Sequence, residues 1–132
     1  MNTRIFAAVA TTGLLLTGCA SSPTVTFAGI ADGETVTSPV SISFAAADFD
    51  IVAAGDAGDS ATAGHMHVMI DTACVEPGVA IVKDDSHIHF GDGATTAELE
   101  LTAGSHTLCL QAGDDAHIAL DVTDEITITV EG

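Results

Sequence analysis

All six histidines of the chain lie between positions 65 and 117, and four of them form two His-x-His pairs, His65/His67 and His87/His89. On a β-strand alternate side chains share a face, so each pair sets two imidazoles roughly 6–7 Å apart on one side. Imidazoles so placed can share a metal, and neutral imidazole suits Cu, Zn and Ni. Around the first pair, His65, His67, Met69 and Asp71 fall on one face, while Met66, Val68 and Ile70 fall on the other and read as core. Around the second, Ile88 and Phe90 take the core side and leave His87 and His89 opposite. Further on, Ile118, Leu120 and Val122 are the apolar set, so His117 faces away from them. His106 is in phase with Leu108 and Leu110, and is expected at the rim of the core or buried with its nitrogens satisfied. The candidate metal ligands are therefore His65, His67, His87, His89 and His117, with His106 as a further candidate. Met66 and Met69 would add thioethers suited to Cu(I). Asp71 is the candidate acceptor that would fix the tautomer of a ligand imidazole. The affinity for metal held this way is expected to fall below about pH 6, as imidazoles protonate.

The same histidines have a plainer reading. They could form a solvated or hydrogen-bonded network with the many Asp residues, serving the fold or sensing pH. Three functions therefore compete. The first is binding of a transition metal, copper or zinc. The second is a structural or interaction module of the cell envelope. The third and most remote is an enzyme similar to copper-zinc superoxide dismutase, on the strength of His-x-His in a β-sandwich. That enzyme needs positive charge to draw its anionic substrate, and this chain has little to offer. No hydrolytic constellation is present either. Ser105 and His106 are neighbours on a strand and point to opposite faces, and no G-x-S-x-G turn occurs. The expectation is binding, not turnover.

Residues 1–19 carry an export signal. Arg4 precedes an uncharged, mostly apolar run from Ile5 to Leu16, too short to span a bilayer. Leu16-Thr17-Gly18-Cys19 then matches a bacterial lipobox, which predicts cleavage before Cys19 and acylation of its sulfur. The organisation read from the sequence is a lipoprotein signal peptide over 1–18, a lipidated Cys19 and tether over 19–23, and one domain over 24–132. Lipid on Cys19 would anchor that domain without a spanning helix. Ala20 after the cysteine predicts the periplasmic face of the outer membrane. With Arg4 removed, Lys83 is the only Lys or Arg against nineteen Asp and Glu, a net charge near −18. Such a surface repels nucleic acid and suits cations or plain solubility. Cys74 and Cys109 remain as an even pair in an oxidising compartment, where a disulfide is expected. Thiolate metal ligation is the alternative, and it requires reduced sulfur.

Short alternating segments separated by Gly and Asp predict strands at Thr24–Ile30, Val40–Phe44, His65–Asp71, Val79–Val82, His87–Phe90, Ala97–Leu101, His106–Leu110 and Ile126–Val130. Residues 31–34 read as a turn and Ala53–Gly64 as a loop. No segment carries a helical period. The fold class is all-β, an immunoglobulin-like antiparallel β-sandwich of seven to eight strands.

Several blocks, in order, resemble a family of uncharacterised bacterial exported proteins. Gly64-His65-Met66-His67-Val68-Met69-Ile70-Asp71 is similar to its GHHHLLID-type segment. DGETVTSPVSISF, SHIHFGDGATTAELEL, AGSHTLCLQAGDDAH and DEITITV match its other blocks, and the resemblance covers about residues 27–130. Members are catalogued as a domain of unknown function, and some are labelled rod-shape-determining proteins. The resemblance implies an immunoglobulin-like sandwich and makes all six histidines part of the motif. Met66 stands where the family has the middle histidine of its run, and Ala94-Thr95 where it has Gly-Gln.

Overall fold

The computed structural model describes residues 18–132. The leader read from residues 1–18 lies, apart from Gly18, outside the described residues. Among the described residues every regular element is a strand: β1 (Thr24–Ala28), β2 (Thr35–Thr37), β3 (Val40–Ala47), β4 (Asp50–Ile51), β5 (Ala63–Ile70), β6 (His87–Phe90), β7 (Thr96–Leu99), β8 (Gly104–Gly113) and β9 (Ala119–Glu131). Three of them form a small antiparallel sheet in the order β1-β3-β7. The other six form the larger sheet, β2-β9-β8-β5-β4, with β6 paired to β5.

Alternation produces this arrangement. In β9, Val122, Ile126, Ile128 and Val130 turn inward, while the Thr and Glu residues between them face out. In β3, Val40, Ile42 and Phe44 do the same. The two inner faces close on one apolar core, in which Phe44 meets Phe27 and Phe90 edge-on at centroid distances of 6.2 and 5.2 Å.

The all-β, two-sheet architecture expected from the sequence is present, with three differences. There are nine strands among the described residues, because β2 and β4, of three and two residues, are too short to carry a period. Both of these pair in parallel, β2 with β9 and β4 with β5, so the sandwich is not wholly antiparallel. Val79–Val82 is not a strand. Only Ala80 makes a bridge, to Ile118, and Val79 and Val82 are 49 % and 57 % exposed while Ile81 is buried. Their apolar character does not mark a sheet position.

That segment instead belongs to a cover, residues 72–86, lying over the outer face of the larger sheet. Cys74 is disulfide-bonded to Cys109 of β8, with Cα atoms 5.5 Å apart, so neither sulfur is a metal ligand. Next along β8, the buried Gln111 accepts the Val75 N–H at 2.8 Å and donates to the carbonyls of Val75 (2.7 Å) and Leu120 (3.1 Å). Gly78 N–H donates to the Ala119 carbonyl, Ala119 N–H to that of Val79, and Ile81 N–H to that of His117. Strand β5 consequently has both faces buried from Ala63 to Met69. The face assigned from parity to His65 and His67 does point away from the main core, but into a second, smaller buried layer.

Candidate metal centre

Strand β5 supplies two of the site's side chains. His65 and His67 project from its outer face, as the two-residue period requires, and are 0 % and 1 % exposed. Antiparallel pairing sets His89 of β6 directly across from His67. The fourth imidazole comes from the turn joining β8 to β9. Asp114 shapes that turn: its carboxylate accepts the N–H groups of Ala116 and Ile118 at 2.8 Å each, and its carbonyl accepts that of His117 at 2.9 Å. His117 adopts φ 62°, the left-handed conformation, and brings its ring back over the sheet.

The four rings form one cluster. Centroids are 4.8 Å apart for His65–His67, His65–His89, His65–His117 and His89–His117, and 5.1 and 6.0 Å for His67–His89 and His67–His117. One ring nitrogen each of His65, His67 and His89 lies within 4.8 Å of the others, a set that could hold a metal ion. His117 Nε2 and His89 Nε2 share a hydrogen bond at 3.1 Å, one ring donating to the other. Two nitrogens sharing a tetrahedral metal at about 2.0–2.1 Å stand about 3.3 Å apart, close to that spacing. Backbone packs tightly against the rings. A Cβ added at Gly113 would lie 2.7 Å from His67 Cε1, and one at Gly91 would overlap the His89 ring.

All four ring nitrogens of His65 and His67 are buried without a hydrogen-bond partner. A buried polar group left unpaired costs about 1–3 kcal/mol, so the fold bears a cost here that nothing within it recovers. Burial also holds these rings neutral. Desolvation, reinforced by His89 and His117, lowers the His65 pKa from 6.5 to about 4. Desolvation, with His65 and His89 adding to it, lowers that of His67 to about 3. His89 is lowered as well, by burial first and His117 second. The neutral imidazole is the form that ligates a metal.

The remaining candidates fall elsewhere. His87 shares the face but stands opposite Met69, and its Nδ1–H donates to Asp84 at 2.8 Å. Met69 is fully buried two ladder pairs beyond His67 on the same face, between His87 and Cys109. Met66 points into the inter-sheet core, opposite in phase to the histidines, and is not placed to ligate. His106 is far along β8 with both nitrogens satisfied. Nδ1–H donates to Asp71 at 2.7 Å and Nε2–H to the Thr102 carbonyl at 2.8 Å. Two acceptors facing both nitrogens favour the imidazolium, and the Thr102 carbonyl is the larger cause of a raised pKa. Asp71 therefore orients His106, not a ring of the cluster, because the chain turns away at φ 56° where β5 ends. Sequence reasoning missed Asp114, Asp115, Gln111 and the two glycines. Asp114-x-x-His117 was legible as a block of the family resemblance, and a lone Gln in Leu108–Ala112 marks a buried polar position.

A family model described as a domain of unknown function, DUF4399, matches residues 42–131, a stretch that contains all four clustered histidines. The chain belongs to the DUF4399 family. No curated protein and no solved structure matches it. Within this DUF4399 domain the matched stretch begins in β3 and takes in the whole larger sheet except β2.

Proposed function

We propose that this domain binds one borderline transition-metal ion, copper or zinc, through His65, His67, His89 and His117. The observation that carries this reading is the set of four unpaired, buried imidazole nitrogens on His65 and His67. A structural histidine network would pair them, as His106 is paired. The donor set favours borderline metals over Ca²⁺ or Mg²⁺, which take oxygen ligands. The nearest carboxylates of the turn, Asp114 and Asp115, are engaged with backbone N–H groups. Four imidazoles would complete a tetrahedral shell, which favours binding over turnover.

The domain would work in the cell envelope, held by lipid on Cys19. The lipobox supports this placement, and the Cys74–Cys109 bond suits an oxidising compartment. The net charge near −18 would raise the local cation concentration and turn away nucleic acid.

Calorimetric titration of Zn(II) and Cu(II) into residues 20–132 tests the reading, beside a His65→Ala/His67→Ala variant. One-to-one, sub-micromolar binding lost in the variant is expected. Weak, non-stoichiometric binding unchanged by the substitutions would leave only an acidic surface attracting cations, and would favour an interaction module whose histidines serve the fold.

A further inference from the structure

Three of the four imidazoles stand on paired strands, but His117 stands on a turn, and something must hold that turn at the sheet. The cover does part of this through the Ile81–His117 hydrogen bond. The rest falls to Asp115, two residues before His117. Its carboxylate reaches across to the loop between β4 and β5 and accepts three backbone N–H groups, those of Gly55 (2.8 Å), Ala57 (3.2 Å) and Gly58 (2.9 Å). Gly55 and Gly58 have φ of 96° and 59°, conformations that L side chains rarely adopt. They let the N–H groups of Gly55, Ala57 and Gly58 turn toward one point, a concave anion cradle. These bonds hold the Asp115 carboxyl below the usual carboxylate range, with the Gly55 N–H the largest cause. The glycine- and aspartate-rich loop is thus built around one carboxylate of the ligand-bearing turn. The same loop is tied to the neighbouring strand end, where Ala54 N–H donates to the Gly91 carbonyl beside His89.

We propose that Asp115, clamped by the Gly55–Gly58 loop, is the positioning residue for His117 and so sets the number of imidazole ligands on the bound metal at four instead of three. This rests on the metal-binding reading above. Without the clamp, His65, His67 and His89 remain as a three-nitrogen platform in the sheet, and water takes the fourth position. Asp115 itself touches no metal.

Cu(II) is the probe, since its electron paramagnetic resonance and visible spectra report the number of nitrogen ligands. Asp115→Asn and Gly55→Ala are compared with the unaltered domain and with His117→Ala. Asp115→Asn removes the anionic acceptor, whereas Gly55→Ala strains the cradle and keeps the charge. Both are expected to weaken Cu(II) binding about tenfold, as loss of an orienting partner does, and to shift the spectrum to that of His117→Ala. Should one variant fail to fold, the other carries the test. Three results would overturn the proposal. The first is unchanged spectra in both variants. The second is a loss confined to Asp115→Asn that vanishes in high salt, which would mark Asp115 as a surface charge only. The third is a His117→Ala spectrum identical to that of the unaltered domain. Failure of the unaltered domain to bind Cu(II) at all would instead sink the metal reading on which the proposal stands.

Discussion

Replacing His67 by leucine is expected to stabilise the metal-free domain while strongly weakening metal binding. The sign is the informative part. A histidine that serves the fold loses hydrogen bonds when replaced, and the protein weakens. His67 has no hydrogen bonds to lose, is 1 % exposed, and keeps two polar nitrogens out of water. Leucine fills a comparable volume without polar atoms, so relief of about 1–3 kcal/mol is expected. For a domain of this size that corresponds to a melting temperature higher by roughly 5–20 °C. Metal affinity should fall by more than about 100-fold, since loss of an outer partner alone costs 10–100-fold and here a ligand is removed. Thermal melts of both proteins, with and without Zn(II), check the prediction. A variant less stable than the metal-free parent would return His67 to a structural role.

The second large effect is on pH. In the unfolded chain His65 and His67 titrate near 6.5, and in the fold they are lowered to about 4 and about 3. Between those values the unfolded state binds protons that the folded state refuses, so stability falls as pH falls. The slope is about 1.4 kcal/mol per group per pH unit. The loss begins near pH 6.5 and continues to about pH 4 for His65 and about pH 3 for His67. By pH 4 it reaches several kcal/mol, comparable to the whole stability of an ordinary domain. His106 acts in the opposite sense: its pKa is raised, so its contribution is full below 6.5 and fades as pH rises through the folded value. Urea midpoints between pH 7 and 4.5 should therefore fall steeply for the metal-free domain, and much less for His65→Leu/His67→Leu. Equal slopes would contradict this origin. The same lowering moves metal release. With ordinary imidazoles affinity would begin to fall below about pH 6, whereas rings that resist protonation should retain metal to nearer pH 5.

Much of the fold could be read from the sequence because burial in β3 and β9 alternates with the period of a strand. Parity also gave the correct direction for His65, His67 and His89. It could not say that their face is covered, because the cover is an irregular segment. Its anchors are a disulfide spanning 35 residues and the side chain of Gln111, which reaches Val75 36 positions away. Val79–Val82 misled for the same reason: one buried side chain, Ile81, in a loop imitates a short strand. Asp71 was assigned by its place in the face of His65 and His67. The chain leaves the strand there in a left-handed conformation, and the carboxylate turns to His106. Asp115 left no local signal, because its partners lie 57 to 60 residues away.

The central claim is that buried imidazoles, not surface carboxylates, hold the metal. X-ray absorption at the zinc edge of the one-to-one complex tests it directly. The account predicts four nitrogen neighbours at about 2.0–2.1 Å with the outer-shell scattering of imidazole rings. A shell of oxygens without imidazole scattering would place the ion on the acidic surface and contradict the account.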